Sequence, residues 1–251
     1  MIVVTGAEGY IGSALMKKLP DALGIDIDFW DIRTNNSLPC ENVKCVVHLA
    51  ALVRVGESVE KPKEYYDTNV TGTLNVIKRY PNAKMIFAST GAAFGPTSPY
   101  GHSKVMAEQI IKDICKEYTI FRFYNVGGGN PTNPEGLPMA IKRAKETGTF
   151  TIFGKDYDTR DGTCVRDYFH VDDLTDALVR AVNEPAAMTD YEPLGSGKSY
   201  TVKEYVDTYN EKYGKQFDVV YGERRAGDLP GVEVPFVSKF ITPTKELVDI
   251  V

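Results

Sequence analysis

A tyrosine and a lysine in the stretch SPYGHSK (residues 98–104) have the types and the spacing for acid/base chemistry. Tyr100 and Lys104 lie four residues apart, so in a helix their side chains share one face. A phenol has an ordinary pKa of about 10, and a nearby ammonium favours its phenolate form, which can act as a general base. The spacing alone leaves two interpretations open: a catalytic pair, or a helix start whose tyrosine and lysine share a face by accident.

Two hydroxyl side chains precede this pair in the sequence. The run AKMIFAST (residues 83–90) is predicted as a strand and ends in Ser89 and Thr90. In an open parallel sheet, ligands lie beyond the carboxyl ends of the strands. Because Tyr100 and Lys104 open the next predicted helix, we expect Thr90, Tyr100 and Lys104 to converge at that edge.

The start of the chain has the pattern of a dinucleotide-binding turn. An apolar strand, MIVVTG, leads into GAEGYIG and then into a helical pattern, SALMKKL. Gly6, Gly9 and Gly12 would allow the tight turn, the approach of backbone to pyrophosphate, and the packing of helix on strand. The helix N-terminus then presents free N–H groups to the phosphates. The alternative is a plain strand-to-helix turn with three glycines.

An acidic residue follows the second predicted strand. Asp26 lies fourteen residues after Gly12, where a carboxylate accepts hydrogen bonds from the adenosine ribose and repels a 2′-phosphate. The sequence therefore predicts NAD rather than NADP. Asp28 competes for this role, and a surface aspartate at a strand end is the alternative interpretation.

The remaining segments continue an alternation of strands and helices. Strands are predicted at 43–52 and 118–126, and helices at 62–80, 103–118 and 169–182. This alternation predicts an α/β fold, a doubly wound parallel (Rossmann) sheet, with a small C-terminal substrate-binding lobe. We expect the Rossmann domain at 1–126, with 167–196 returning to it, and the lobe at 127–166 and 197–251.

Composition and charge exclude several classes of protein. The chain has 251 residues, 43% hydrophobic residues and a net charge of −5, which does not favour nucleic acid as a partner. No apolar run reaches the length of a membrane span, and MIVVTGAEGY does not resemble a signal peptide. The four cysteines form no C-x-x-C pair, and no metal-ligand spacing surrounds the histidines, so we expect free thiols, no metal site and a cytoplasmic location.

Five stretches carry a resemblance to a known family. GAEGYIG, the segment VVHLAALVRVGESVEKPKEYYDTNVTGTLNVI, SPYGHSKVMAEQII, FGKDYDTRDGTCVRDYFHVDDL and RRAGDLP occur in the family's order along nearly the whole chain. The chain resembles the extended short-chain dehydrogenases/reductases, most closely those that interconvert UDP-glucose and UDP-galactose by 4-epimerisation, in a shortened form. With this context we favour the catalytic interpretation of Tyr100 and Lys104.

The resemblance implies a mechanism and a set of roles. Tyr100 would be the general base on the sugar 4-hydroxyl, Lys104 would also hold the nicotinamide ribose, and Thr90 would hydrogen-bond the 4-oxygen. Hydride would pass from C4 to NAD and return to the other face of a transient 4-keto sugar. Family members pair through two helices, near 65–77 and 104–115 here, which implies a homodimer.

The resemblance also implies the residues that line the cofactor and substrate sites. The cofactor site would include the glycines and Asp26 together with Tyr10, Ile11, Asp31, Ile32, Leu49, Ala50, Ala51 and Asn69. The substrate site would include Thr90, Asn125, Arg166, Arg225, Asp228 and Val232. The arginines would bind the diphosphate, Asp228 the uridine ribose, and Val232 would lie near the C2 substituent of the sugar. A small residue there implies room for N-acetylated sugars.

The sequence departs from the family in ways that keep other functions open. The segment between Asp26 and Asp31 lacks the usual helix and strand, the C-terminal lobe is short, and Val53 replaces the family's cofactor-contacting lysine. Gly91 and Ala92 stand where a sugar-nucleotide dehydratase has an Asp-Glu pair, which disfavours that reaction. A nucleotide-sugar reductase, a uronate epimerase and a non-catalytic dinucleotide-sensing protein remain as alternatives.

Overall fold

The computed structural model describes residues 1–34, 41–129, 136–225, 230–231 and 234–251. The strands are β1 (Ile2–Thr5), β2 (Leu23–Ile25), β3 (Cys45–His48), β4 (Lys84–Thr90), β5 (Tyr118–Phe123), β6 (Asn125–Gly127), β7 (Thr149–Phe153), β8 (Val165–His170), β9 (Glu192–Leu194), β10 (Ser199–Thr201) and β11 (Asp218–Gly222). The α-helices are α1 (Tyr10–Lys18), α2 (Val55–Glu60), α3 (Pro62–Tyr66), α4 (Gly72–Arg79), α5 (Pro99–Ile114), α6 (Gly136–Thr147), α7 (Val171–Asn183), α8 (Val202–Tyr213) and α9 (Leu247–Ile250). A π-helical turn (Asp67–Thr71) joins α3 to α4, and a 3₁₀ turn (Gly91–Phe94) follows β4.

The central sheet has the strand order β2-β1-β3-β4-β5-β9. The strands from β2 to β5 pair in parallel, with Thr5 opposite His48 and His48 opposite Phe87. Val3 and Val4 on β1 and Val46 and Val47 on β3 are fully buried, as expected for a parallel sheet covered on both faces. Helices flank this sheet, and the predicted doubly wound α/β class is confirmed.

The chain folds into two compact units. The first comprises 1–123 with 175–192, and the second comprises 124–174 with 193–251. The first unit has an apolar core that includes Val3, Val46, Met85 and Ile120. The second contains a three-stranded sheet of order β10-β8-β6, a two-stranded sheet of β11 and β7, and an aromatic core. The predicted division differs from these units at 124–126, 167–174 and 193–196. The strands β6 and β8 pair with each other in a sheet of the second unit.

The apolar run 118–126 does not form one strand. β5 ends at Phe123, and β6 begins at Asn125 in a different sheet. Between them, the Tyr124 amide donates to the Leu194 carbonyl at 3.1 Å, and the pairing of β5 with β4 ends at Phe123. Hydrophobic periodicity cannot detect such a change of partner, because both strands are apolar.

No helix in the described part of the chain is long and apolar enough to cross a membrane.

Lys84 anchors the end of α7 to the sheet. Its ammonium donates to the carbonyls of Ala181, Val182 and Glu184, each at 2.8 Å. These carbonyls lie at or beyond the last turn of the helix, where a cation also interacts favourably with the helix dipole. The half-buried lysine therefore satisfies three acceptors at once.

We expect Lys84→Met to lower the free energy of unfolding by about 2–3 kcal/mol, since hydrogen bonds to charged groups contribute about that much and three acceptors lose their donor. Urea denaturation measures the change. Lys112→Met is the matched control, because the Lys112 ammonium contacts only the exposed Asp190 carboxylate in the described structure and its loss should cost at most about 1 kcal/mol. Equal losses in the two variants would contradict the anchoring role of Lys84.

Candidate active site

The glycine-rich turn between β1 and α1 has the close backbone packing that only glycine allows. Gly6 has a φ of +71°, a left-handed conformation, and a Cβ atom there would lie 2.7 Å from the Ala50 backbone nitrogen. A Cβ atom on Gly12 would lie 2.0 Å from the Gly6 carbonyl oxygen. Gly9 is the N-cap of α1 and has no side chain with which to cap the first turn. A helix N-terminus that no N-cap side chain covers, directly after a glycine-rich turn, fits the phosphates of a dinucleotide.

Asp26 is fixed directly beside this turn. Its carboxylate accepts the Glu8 amide at 2.9 Å and the Ile27 amide at 2.8 Å. Asp28, its competitor in the sequence, is exposed. The carboxylate of Asp26 is therefore the one held against the glycine-rich turn, at the end of β2.

The start of α5 positions Tyr100 and Lys104. The Ser98 hydroxyl accepts the Gly101 amide at 3.2 Å, and Pro99 occupies the first helical position, so the helix begins just before Tyr100. Tyr100 and Lys104 consequently lie one turn apart on the same face. Both are buried, with 8% and 3% of their surface exposed.

Thr90, the last residue of β4, is hydrogen-bonded to Tyr100. The Thr90 oxygen accepts the Ala92 amide at 3.2 Å, which leaves its own proton for the Tyr100 oxygen. The hydroxyls of Thr90 and Tyr100 thus meet at the carboxyl end of the sheet, as the sequence predicts.

Burial determines the protonation of this pair. It raises the pKa of Tyr100, and the hydrogen bond from Thr90 acts in the opposite direction. Burial also lowers the pKa of Lys104 to about 7. The Lys104 ammonium lies 4.3 Å from the centre of the Phe87 ring, a cation–π contact. A buried lysine of this kind can change its charge near neutral pH.

A buried histidine network lies beneath the site. His48 Nδ1 lies 2.7 Å from the Thr5 hydroxyl, and His48 Nε2 lies 3.0 Å from the Thr73 hydroxyl. The Thr73 hydroxyl donates to the Asn69 carbonyl at 2.6 Å, so it accepts the proton of Nε2. Burial lowers the pKa of His48 to about 3, and the histidine is neutral. The network joins the ends of β1 and β3 to the π-helical turn.

The π-helical turn presents Asn69 toward α5 and the segment after β3. The Asn69 side chain donates to the Leu52 carbonyl at 3.0 Å and to the Ser103 hydroxyl at 2.9 Å, and it accepts the Leu52 amide. π-Helical turns are rare in proteins, and those that occur often lie at functional sites. Sequence periodicity predicts one unbroken helix over 62–80 and does not detect this turn. The polar residues inside a buried amphipathic segment are the signal that could have indicated it.

The other predicted cofactor residues differ in their surroundings. Asp31 forms a two-pronged ion pair with Arg33, which lowers the pKa of the carboxyl. Ile32 is buried, and its carbonyl accepts the Asn75 side chain at 2.9 Å. The remaining residues lie on or beside the loops that follow β1 and β3: Tyr10 is buried, and Ile11, Leu49, Ala50 and Ala51 are half-buried.

Apart from Thr90, the predicted substrate residues that the structure describes belong to the second unit. Asn125 opens β6, and its side chain donates to the Asp167 carbonyl on the neighbouring strand at 3.4 Å. Arg166 is half-buried on the same neighbouring strand, β8. Arg225 follows β11, exposed, with its guanidinium 4.7 Å from the centre of the Phe153 ring. Asp228 and Val232 lie outside the described residues.

Two charged residues next to the site, Glu108 on α5 and Arg122 on β5, were not predicted from the sequence. The Arg122 guanidinium donates to both oxygens of the Glu108 carboxylate, at 2.9 and 2.7 Å. The signal for Glu108 is its spacing: it continues the four-residue series of Tyr100 and Lys104 along one helix face.

Comparisons with known proteins identify the family. UDP-glucose 4-epimerase of Rhizobium meliloti (strain 1021) is 38% identical over 234 residues, which cover 78% of this chain and 70% of that protein. UDP-glucose 4-epimerase of Bacillus subtilis (strain 168) is 30% identical over 296 residues, which cover 91% of this chain and 86% of that protein. The crystal structure of UDP-glucose 4-epimerase from Bifidobacterium longum, in complex with NAD+ and UDP, superimposes with a TM-score of 0.86 at 27% identity and covers 99% of this chain and 95% of that one. Residues 2–197 match the NAD dependent epimerase/dehydratase family, and this chain belongs to it.

Proposed function

We propose that this protein interconverts UDP-glucose and UDP-galactose by NAD-dependent 4-epimerisation. The observation that carries the proposal is that Tyr100 and Lys104, both buried, lie one turn apart on one helix face, with the half-buried Thr90 hydroxyl acting on the Tyr100 phenol. These groups lie at the carboxyl end of the sheet whose first loop fits a dinucleotide, in a chain whose relatives are UDP-glucose 4-epimerases.

Each of the three side chains has a distinct role in this proposal. Tyr100 accepts the proton of the sugar 4-hydroxyl in one direction and returns it in the other. Thr90 donates a hydrogen bond to the 4-oxygen, and Lys104 holds the nicotinamide ribose and supplies positive charge. Bound NAD supplies the acceptor and, in the return step, the donor of the hydride at C4 of the sugar.

The protein's own groups leave Tyr100 in its neutral form. Burial outweighs the hydrogen bond from Thr90, so the pKa of Tyr100 is raised, whereas the sequence predicts that the Lys104 ammonium lowers it. Because the pKa of Lys104 is itself about 7, the lysine is charged only in part at neutral pH. The positive charge of the oxidised nicotinamide is then the group that we expect to favour the phenolate.

Asp26 selects NAD in this proposal. We expect Asp26→Ala to weaken NAD binding about tenfold to a hundredfold and to reduce discrimination against NADP, because two hydrogen bonds from ribose hydroxyls to a charged acceptor are lost. Fluorescence titration with both dinucleotides measures the change. Asp26→Asn is the control for the loop, since an amide oxygen can still accept the Glu8 amide without repelling a 2′-phosphate. If both variants bound NAD and NADP with unchanged affinity, Asp26 would not bind the ribose, and Asp28 would be the candidate for that role.

The substrate residues follow from the same comparison with the family. Asn125 meets the nucleotide sugar, and Arg166 and Arg225 bind its diphosphate, for which a guanidinium has matching geometry. The Asp228 carboxylate accepts hydrogen bonds from the hydroxyls of the uridine ribose. Apart from Thr90, all the proposed substrate residues lie in the chain after Phe123, and most of them fall where the sequence predicts the substrate-binding lobe.

Sugar size is the finer part of the proposal. The resemblance to the family assigns Val232 to the surroundings of the sugar C2 substituent, and because valine is much smaller than an aromatic residue we propose that N-acetylated UDP-hexosamines are also substrates. Val232→Tyr should lower kcat/KM for the N-acetylated sugar at least about tenfold and leave UDP-glucose turnover within about twofold, because a steric clash acts on one substrate only. Steady-state kinetics on both sugars measure the ratio. An equal loss of kcat/KM for both sugars would show that Val232 does not determine which sugar the pocket accepts.

A second copy of the chain is the proposed partner. On α5, the half-exposed residues Met106, Ile110 and Ile114 recur every four residues and form one apolar stripe, with 47% of Met106 and 51% of Ile114 exposed. Such a stripe on a surface helix is typical of a helix–helix interface. We propose a cytoplasmic homodimer; sedimentation of the wild type and of Met106→Lys tests the dimer.

Assays of the purified protein test the function. Interconversion of UDP-glucose and UDP-galactose, with an absorbance spectrum of bound NAD, would support epimerisation. Bound NAD without turnover of either sugar would instead favour a dinucleotide-sensing protein, and turnover of a UDP-uronate alone would favour a uronate epimerase.

A further inference from the structure

One face of α5 carries three buried polar side chains at a spacing of four residues. Tyr100, Lys104 and Glu108 have 8%, 3% and 2% of their surface exposed. A carboxylate and an ammonium buried this deeply are costly unless each has a compensating charge or hydrogen bond. Glu108 is therefore not a solvated surface charge, and its partners indicate what it does.

Two side chains fix the Glu108 carboxylate, and two aromatic rings enclose one of these partners. The Arg122 guanidinium donates to both oxygens at 2.9 and 2.7 Å, and the Ser89 hydroxyl donates to one of them. The guanidinium is itself enclosed by two rings, 4.6 Å from the centre of Phe94 and 4.3 Å from that of Tyr191. The carboxylate therefore cannot turn away toward solvent.

This cluster adjoins the catalytic hydroxyls on two elements. Ser89 immediately precedes Thr90 on β4, and Phe94 ends the 3₁₀ turn that Thr90 caps. Glu108 lies one turn beyond Lys104 on α5. The cluster thus joins the strand that carries Thr90 to the helix that carries Tyr100 and Lys104.

We propose that Glu108 is a positioning residue of the reaction: its carboxylate, fixed by Arg122 and Ser89, supplies the negative charge that keeps Lys104 protonated beside Tyr100. The inference rests on the proposed function, because it requires Tyr100 and Lys104 to carry the chemistry.

The other titratable groups around Lys104 do not supply this charge. His48 on β3 is neutral, and Tyr100 on the same helix is neutral and buried. Arg122 on β5 is positive and is paired with Glu108. On α2, Glu57 interacts with Lys61 and with the Tyr65 hydroxyl of α3.

The electrostatic balance agrees with the geometry. Burial lowers the pKa of Lys104 to about 7, and the negative charge of Glu108 acts against this lowering. Removing that charge should lower the pKa of Lys104 further. A larger fraction of the lysine would then be neutral at pH 7–8, and activity would be lost on the alkaline side first.

The test is Glu108→Gln, which keeps the size of the side chain and removes its charge. With ¹³C-labelled lysine, NMR titration follows the Lys104 ammonium in protein with and without NAD, and Lys104→Met assigns the signal. We expect the midpoint to fall by about one pH unit and the alkaline limb of the kcat profile to move with it, so that kcat falls about tenfold at pH 8 and about threefold at pH 6.5. Asp113→Asn, an exposed carboxylate on the same helix, should leave both unchanged.

Further variants separate this proposal from its alternatives. If Glu108→Gln does not fold because Arg122 is left unpaired, the test compares Glu108→Gln/Arg122→Gln with Arg122→Gln, two variants that differ only in the charge of residue 108. A purely structural role would lower kcat equally at all pH values with an unchanged Lys104 midpoint, and that result would overturn the proposal. Absence of epimerase activity in the wild type would overturn the proposed function instead, while the NMR midpoint would still report on Glu108.

Discussion

Tyr100→Phe should lower kcat for the interconversion of UDP-glucose and UDP-galactose by about 10²–10⁴-fold, the usual contribution of a positioned general base. The substitution removes one hydroxyl and keeps the ring, so the packing of α5 against the Tyr65 ring, whose centre lies 6.3 Å away, is retained. Thr90 loses its hydrogen-bond partner, but NAD binding should stay within about threefold, which is less than the effect of one typical hydrogen bond. Steady-state kinetics and fluorescence titration with NAD measure the two quantities separately.

Tyr205→Phe is the matched control for Tyr100→Phe. It also removes a phenol hydroxyl from a buried ring, but in the aromatic core of the second unit, where Tyr205 packs on Tyr168 at 4.8 Å between ring centres. Its kcat should be unchanged. If Tyr100→Phe retained wild-type turnover, Tyr100 would not be the base, and the assignment of Thr90 and Lys104 to the reaction would fail with it.

Gly12→Ala should weaken NAD binding about a hundredfold and destabilise the first unit. The new Cβ atom would lie 2.0 Å from the Gly6 carbonyl oxygen and 2.8 Å from the Ala7 Cα atom, and backbone atoms cannot move aside as a flexible side chain can. Overpacking of this kind costs about 1–3 kcal/mol or more, and a distortion of about 3 kcal/mol at the phosphate-binding turn corresponds to about a hundredfold loss of affinity. Urea denaturation and dinucleotide titration measure the two effects.

Two other glycines provide the controls for Gly12→Ala. A Cβ atom on Gly9 would meet only the Gly6 oxygen among the described atoms, at 3.3 Å, so Gly9→Ala should preserve stability better and act mainly on the approach of the pyrophosphate. Gly56→Ala introduces a methyl group with no atom of the described structure within 4 Å and should change neither quantity. Normal NAD affinity in Gly12→Ala would mean that the turn is not the phosphate site.

Local patterns in the sequence predict the features that depend on neighbouring residues. The strand–glycine–helix order at residues 2–18 follows from β-branched residues, glycine spacing and helical periodicity, and the structure has β1, the turn and α1 there. The Ser-Pro start of α5 is likewise local: Ser98 caps the helix, and Pro99 begins it. The shared face of Tyr100 and Lys104 follows from the same helix geometry. The alternation of strands and helices predicts the fold class for the same reason.

Features that depend on distant partners could not be predicted in this way. The division of the apolar run 118–126 depends on pairing partners from other parts of the chain, and the π-helical turn depends on hydrogen bonds from Asn69 to Leu52 and Ser103. The packing of Ile32 is another such feature: its side chain is buried in the core, where its Cγ1 and Cδ1 atoms would lie within 3 Å of a Cβ on Gly72. Periodicity reports which residues are apolar and not which surface they pack against.

The sequence by itself determined which chemical groups this protein has and which elements carry them: Tyr100 and Lys104 on one helix, Thr90 at a strand end, and glycines where a dinucleotide would bind. Only the tertiary structure decided their state. The hydrogen bond between Thr90 and Tyr100, the lowered pKa of Lys104 and its charge balance with Glu108 arise where β4 and β5 pack against α5. The physical reason is that burial and electrostatic interactions depend on distances in space, which residue order does not specify.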